Sequence, residues 1–173
     1  MHNFTDHLSY LEEEKIRILI YRCGKGENVY SLAKKYPNWT IIGFDNSSIL
    51  VNNIAYYNET YSDLEPKNAR FEVDWEKVKE YFYDFVLCDN SFANTNSKQI
   101  EVSLNEIHKI TTKVVIVARE LTIDRKNTWG IIANSKFGKP QEFYRNHQRT
   151  DFSLSTNIDE VSIGIYCGDP NGT

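Results

Sequence analysis

Two glycines and an acid are the residues of this chain best spaced for chemistry. Cys23-Gly24-Lys25-Gly26 follows an apolar run (Ile16, Ile18, Leu19, Ile20), and Asp45 closes a second run (Ile41, Ile42, Phe44), 19 residues after Gly26. Glycine lets backbone N–H groups approach a ligand closely. The N-terminus of a helix after such a turn adds partial positive charge. A carboxylate at the end of the second strand can accept hydrogen bonds from both hydroxyls of a ribose. Dinucleotide-binding folds place an acid at about this spacing, roughly 20 residues on, for the same reason. Their fingerprint also needs a third glycine three residues after the second. Val29 stands there, so a nicotinamide dinucleotide is disfavoured. Asp45 also suits a plainer role as a helix N-cap.

The elements that must position these residues alternate between two periods. Ile16–Tyr21 and Thr40–Phe44 read as buried strands around a helix at Glu27–Tyr36, whose Val29, Leu32, Ala33 and Tyr36 share a face. Pro37 stops that helix. Asn46 or Ser47 caps the next one, with Leu50, Ile54, Tyr57 and Tyr61 on one side. Ala69–Val73, Tyr83–Cys88 and Lys113–Ala118 are further strands, and Ile100, Leu104, Ile107 and Thr111 mark a helix before the last of them. Ser9 and Glu12 form a capping box for a short N-terminal helix. After about residue 120 the pattern changes: Pro140–Leu154 is polar and aromatic and Val161–Cys167 alternates, which predicts an antiparallel hairpin. The expectation is an α/β fold over residues 1–173 as one domain. It has a doubly wound, mostly parallel sheet flanked by helices and a C-terminal antiparallel hairpin.

Bulk properties exclude several functions. The 173 residues carry 20 basic and 24 acidic side chains, a net charge of −4, which argues against nucleic acid as a partner. The longest apolar run, Val114 to Ala118, is too short for a membrane. The N-terminus lacks the apolar stretch of a secretory signal. Cys23, Cys88 and Cys167 are odd in number and none sits in a C-x-x-C pair, so buried thiols in a reducing cytoplasm are expected, with no metal site.

The segment Arg22–Ser47, RCGKGENVYSLAKKYPNWTIIGFDNS, resembles the cofactor half of class I S-adenosylmethionine-dependent methyltransferases. Those proteins carry a strand, an acid-x-G-x-G-x-G loop, a helix, a second strand and an acid. The resemblance continues more weakly through FEVDW (Phe71–Trp75), YDFVLCDNSF (Tyr83–Phe92), Val114–Glu120 and the closing hairpin. It implies a methyltransferase-like Rossmann fold with S-adenosylmethionine as cofactor. It further implies that Cys23, Gly24 and Gly26 line the methionine and ribose, Asp45 holds the ribose hydroxyls and Asn46 lies beside the adenosine. Asp74 would meet the adenine amino group with Trp75 against the ring, and Asp89 and Asn90 would flank the methionine. Two positions depart from the pattern: Ile20 stands where the family carries an acid, and Arg22 where it carries its first glycine. A bulky cation there either blocks the site or points away from it.

The reaction implied is methyl transfer to a small-molecule or sugar-like acceptor, with Asp89, Asn90 and Glu120 as the catalytic candidates and His108 as a further candidate base. Glu120 falls just past the fifth strand, on the edge where ligands bind. Ser91–Ser97, with Asn94-Thr95-Asn96 as a mobile loop, and Leu121–Gly138, with Trp129, are candidate covers. Arg145, His147 and Arg149 either meet an anionic substrate or form an exposed strand edge. Tyr36 and Trp39 read as packing. The alternative is a non-catalytic methyltransferase-like module that scaffolds a protein partner, which Ile20 and Arg22 favour.

Overall fold

The computed structural model describes residues 4–48, 50, 52, 53, 67–89, 91, 92, 95–118, 132, 139–146, 148–150 and 162–167. Five strands run parallel: β1 (Arg17–Tyr21), β2 (Thr40–Phe44), β3 (Ala69–Glu72), β4 (Phe85–Asp89) and β5 (Lys113–Ala118). Three more follow: β6 (Glu142–Arg145), β7 (Gln148–Thr150) and β8 (Ser162–Cys167). The sheet order is β3-β2-β1-β4-β5-β8-β6-β7. The helices described are α1 (Glu27–Lys35), α2 (Trp75–Val78), α3 (Ser97–His108) and a 3₁₀ helix at Phe4–Leu11. Among the described residues no helix is long and apolar enough to cross a membrane.

β1 explains the architecture. Its residues Ile18, Leu19 and Ile20 are all buried, as a parallel strand covered on both faces must be. Alternation sends Ile18 and Ile20 towards Val29 and Leu32 of α1, and Leu19 and Tyr21 towards Ile100, Leu104 and Ile107 of α3. β2 lies on one side of β1 and β4 on the other, so Ile18 is flanked by Ile41 and Phe85. The chain winds outward from β1 through β2 to β3, then returns to β4 and winds the other way. The topological switch therefore lies between β1 and β4, and the crevice beyond their carboxyl ends is where such sheets bind ligands.

Packing anchors the amino-terminal half. Trp39 and Tyr36 are buried and stack with ring centroids 4.0 Å apart. The Trp39 indole N–H donates to the Leu11 carbonyl at 2.9 Å, fixing the 3₁₀ helix. The Asn68 amide donates to the carbonyls of Ala33, Tyr36 and Trp39 at 3.0, 3.1 and 2.7 Å, which satisfies acceptors left open where α1 ends.

Several local expectations change. Ser9 lies inside the 3₁₀ helix rather than at the start of a helix, and Glu12 N–H donates to its carbonyl. The fourth strand starts at Phe85, because Tyr83 bridges to Thr111 ahead of it, and Thr111 belongs to that bridge and not to α3. The closing segment is more than one hairpin. β6 pairs with β7 within Glu142–Thr150, and β8 inserts between β5 and β6, antiparallel to both. Ser48, Leu50, Asn52 and Asn53 are helical as expected, while Ile54, Tyr57 and Tyr61 lie outside the described residues.

Candidate ligand-binding site

The glycine loop turns sharply because three of its residues take left-handed backbone: Arg22 at φ 54°, Gly24 at 58° and Gly26 at 84°. Cys23 N–H donates to Phe44 O at 2.9 Å and Gly26 N–H to Cys23 O at 3.0 Å, so the loop is tied to the end of β2 and to itself. The two glycines do different work. A Cβ at Gly26 would lie 2.5 Å from the Phe71 ring, whereas one at Gly24 would meet nothing within 4 Å. Gly26 lets the loop seat against β3, and Gly24 borders open space.

Asp45 follows β2 and is buried, with 8% exposure. Its Oδ2 accepts the Gly24 N–H at 2.8 Å and its Oδ1 the Ser47 N–H at 2.9 Å. It thus performs the turn-capping role as well as facing the loop. Each oxygen keeps a second acceptor site. Asn46 beside it is exposed. Asp74 caps α2 by accepting the Glu76 N–H at 3.0 Å. Trp75 packs on Phe44 and Tyr21, with ring centroids 5.1 and 5.8 Å away. Tyr21 also stacks on Phe44 and donates to Ser103 Oγ at 3.0 Å, so an aromatic wall stands behind the ends of β1 and β2.

On the far side of the crevice, Asp89 ends β4, and the Asn28 amide from the first turn of α1 reaches its Oδ2 at 3.5 Å. Arg22 crosses the crevice. Its Nη1 donates to Ser91 O at 3.2 Å and to Thr95 Oγ1 at 3.0 Å, and its guanidinium lies 5.5 Å from the centre of the Tyr21 ring. Ser91 Oγ in turn donates to Tyr21 O at 2.7 Å. Thr95 is therefore held by Arg22, and Asn96 Oδ1 accepts the Gln99 N–H at 2.9 Å to cap α3. Within the expected mobile loop, Thr95 and Asn96 thus each make a side-chain hydrogen bond. The Arg22 side chain neither turns to solvent nor stands alone: it joins the two sides of the switch point.

Burial disfavours the thiolate form of the cysteines beside this loop. Burial, reinforced by the Asp45 carboxylate, pushes Cys23 up to about 12. Burial also pushes Cys88 well up, opposed in part by the positive charge of Arg22. Both stay protonated near neutrality.

With the geometry laid out, comparison with known proteins becomes informative. No protein-family model and no curated protein matches the chain in sequence. Solved structures match it closely in shape. A TehB-like SAM-dependent methyltransferase from Corynebacterium glutamicum has a TM-score of 0.66 at 16% identity over 95% of this chain and 86% of its own. A putative rRNA-methylase from Clostridium thermocellum gives 0.63 at 17% identity over 98% of both chains. Magnesium protoporphyrin IX methyltransferase from Synechocystis PCC 6803, solved with bound SAM, gives 0.62 at 11% identity over 95% of this chain and 77% of its own. The chain has the class I methyltransferase fold.

Within that methyltransferase fold, Gly24 and Arg22 follow β1, Asp45 follows β2 and Asp89 ends β4; Asp74 follows β3 at the start of α2, and Trp75 packs in the apolar layer with Tyr21, Phe44 and Val78. Lys25 is exposed. His108 is not at the crevice. It ends α3, and the residues after it, Ile110 and Thr111, bond to Tyr83 ahead of β4. That places it at the amino edge of the sheet, away from the carboxyl ends of β1 and β4. Arg145 ends β6 opposite Ser162, which also pairs with Ala118. It therefore shares the ligand edge, three strands from β4. Gln148, Arg149 and Thr150 of β7 are exposed at the end of the sheet order. Asn90, Glu120, Trp129 and His147 lie outside the described residues. Sequence reasoning missed Asn28 and the contacts of Ser91. The topological rule points to both, because first-turn helix residues and residues just past a strand face the carboxyl edge.

Proposed function

We propose that the chain transfers a methyl group from S-adenosylmethionine to a small-molecule or sugar-like acceptor. One observation carries the cofactor reading: a buried carboxylate, Asp45, stands at the end of β2 hydrogen-bonded to a glycine loop whose Gly24 borders open space. An adenosyl group fits this donor and acceptor set. Asp45 would hold the ribose hydroxyls, Gly24 would border the ligand, Asp74 and Trp75 would meet the adenine, and Asp89 would lie towards the amino-acid end. When bound, the cofactor supplies an electrophilic methyl on a sulfonium. The protein's own work is orientation and exclusion of water. Asp89, which the Asn28 amide approaches at 3.5 Å, would take a proton from an oxygen or nitrogen acceptor, with Asn90 and Glu120 as further candidates. The acidic charge balance gives little attraction for nucleic acid, and a small acceptor is taken by that elimination.

A second reading, a scaffold without catalysis, draws on Ile20. This residue is 2% exposed and packs in the apolar layer with α1, so the acid that the family carries there is absent.

Incubation with methyl-labelled S-adenosylmethionine and a panel of small hydroxyl and amine acceptors tests both. Label recovered in the small-molecule fraction, and lost in Asp45→Ala, supports the enzyme. Label recovered in RNA overturns the acceptor class. No cofactor binding and no transfer to any fraction supports the scaffold, a module that has lost cofactor binding.

A further inference from the structure

The loop after β1 departs from the methyltransferase pattern at two positions. An acid is replaced by buried Ile20, and a glycine by Arg22, which stands across the switch point. Arg22 holds a left-handed backbone, a conformation that suits glycine, yet its side chain is fixed rather than free. Both Nη1 hydrogens are used on Ser91 O and Thr95 Oγ1. Among the described residues no carboxylate pairs with this half-buried guanidinium, and its Nε and Nη2 atoms donate to none of them. That edge of an arginine is the one that grips a carboxylate with two parallel N–H···O bonds.

We infer that Arg22 is a specificity-determining residue that selects the ligand through the carboxylate at its amino-acid end. At the Ile20 position no acid is present to meet the ammonium. The inference rests on the reading of the crevice as an adenosyl site. Anchoring by Ser91 and Thr95 holds the fork in place before the ligand arrives, and the Tyr21 ring beneath it supports the cation. The site would accept an adenosyl ligand that lacks the ammonium and reject one that lacks the carboxylate.

Calorimetric titration of the intact chain with four probes tests this: S-adenosylhomocysteine, its deaminated analogue, its decarboxylated analogue, and adenosine. The deaminated analogue should bind within about threefold of S-adenosylhomocysteine. The decarboxylated one should bind at least tenfold more weakly, near adenosine. Arg22→Ala should bring the carboxylate-bearing probes down to the level of the decarboxylated one. The probe series on the unaltered protein decides the matter even if the variant folds poorly. Equal or tighter binding of the decarboxylated analogue would overturn the inference. So would an Arg22→Gly variant that binds S-adenosylhomocysteine more tightly, since Arg22 would then be a plug. If adenosine binds and Asp45→Ala abolishes it while tail selectivity is absent, only this inference fails. If no probe binds, the adenosyl reading fails with it.

Discussion

Asp45 Oδ2 accepts the backbone N–H of Gly24 at 2.8 Å, joining the loop after β1 to the end of β2. The same carboxylate accepts the Ser47 N–H, so one side chain braces both the loop after β1 and the turn after β2. Asp45→Ala should lower stability by about 2 kcal/mol, because two backbone donors lose a charged acceptor. Urea unfolding of the two proteins measures it. A loss below about 0.5 kcal/mol would mean that water replaces Asp45 at no cost.

Gly24 and Gly26 should respond differently to alanine. Gly26→Ala drives a Cβ into the Phe71 ring at a left-handed residue and should cost about 3 kcal/mol from overpacking plus backbone strain. Gly24→Ala meets no atom and should cost about 1 kcal/mol from its backbone alone. The binding order should reverse, with Gly24→Ala losing S-adenosylhomocysteine through the methyl it adds to open space. Equal unfolding midpoints for the two variants would contradict the assignment.

Alkaline pH should destabilise the protein through buried acids. Cys23 titrates in the fold at about 12 instead of near 9, chiefly from burial. Tyr83 is likewise raised to about 12 by burial. Between pH 9 and 12 the unfolded chain has lost protons that the native state keeps, so stability present below pH 9 falls as pH rises through that window. A Cys23→Ala variant should show a shallower fall between pH 9 and 11 in denaturant titrations. Thiol labelling of the native protein at pH 8 should be slow at Cys23 and Cys88 and fast after unfolding.

Asn68 offers a test away from the site. Its amide donates to three carbonyls at the end of α1. Asn68→Asp points a carboxylate at those oxygens and should cost about 3 kcal/mol, more than Asn68→Ala, which only leaves them unpaired. The ordering of the two unfolding midpoints checks the geometry. An Asp variant as stable as the Ala variant would show that the acceptors find other donors.

The fold was legible where burial on both faces forced continuous apolar runs. β2 (Thr40–Phe44) and β5 (Lys113–Ala118) coincide with the expected strands, and β1 differs only at Ile16. β7 was hidden because Gln148, Arg149 and Thr150 are all exposed, which leaves no alternation to read. The meeting of Gly24 with Asp45 was legible because turn chemistry and spacing are local properties. The path of Arg22 was not, because a left-handed residue aims its side chain away from the strand's own alternation. Its anchors Ser91 and Thr95 lie about 70 residues on. The grip of Asn28 on Asp89 is likewise a product of topology.

The central claim is that the crevice beyond β1 and β4 holds an adenosyl cofactor on Asp45. Calorimetric titration of S-adenosylmethionine into the intact chain, with Asp45→Ala beside it, tests this most directly. The account predicts micromolar binding that the variant loses. Absence of binding at millimolar cofactor, or equal affinity in the variant, would contradict it.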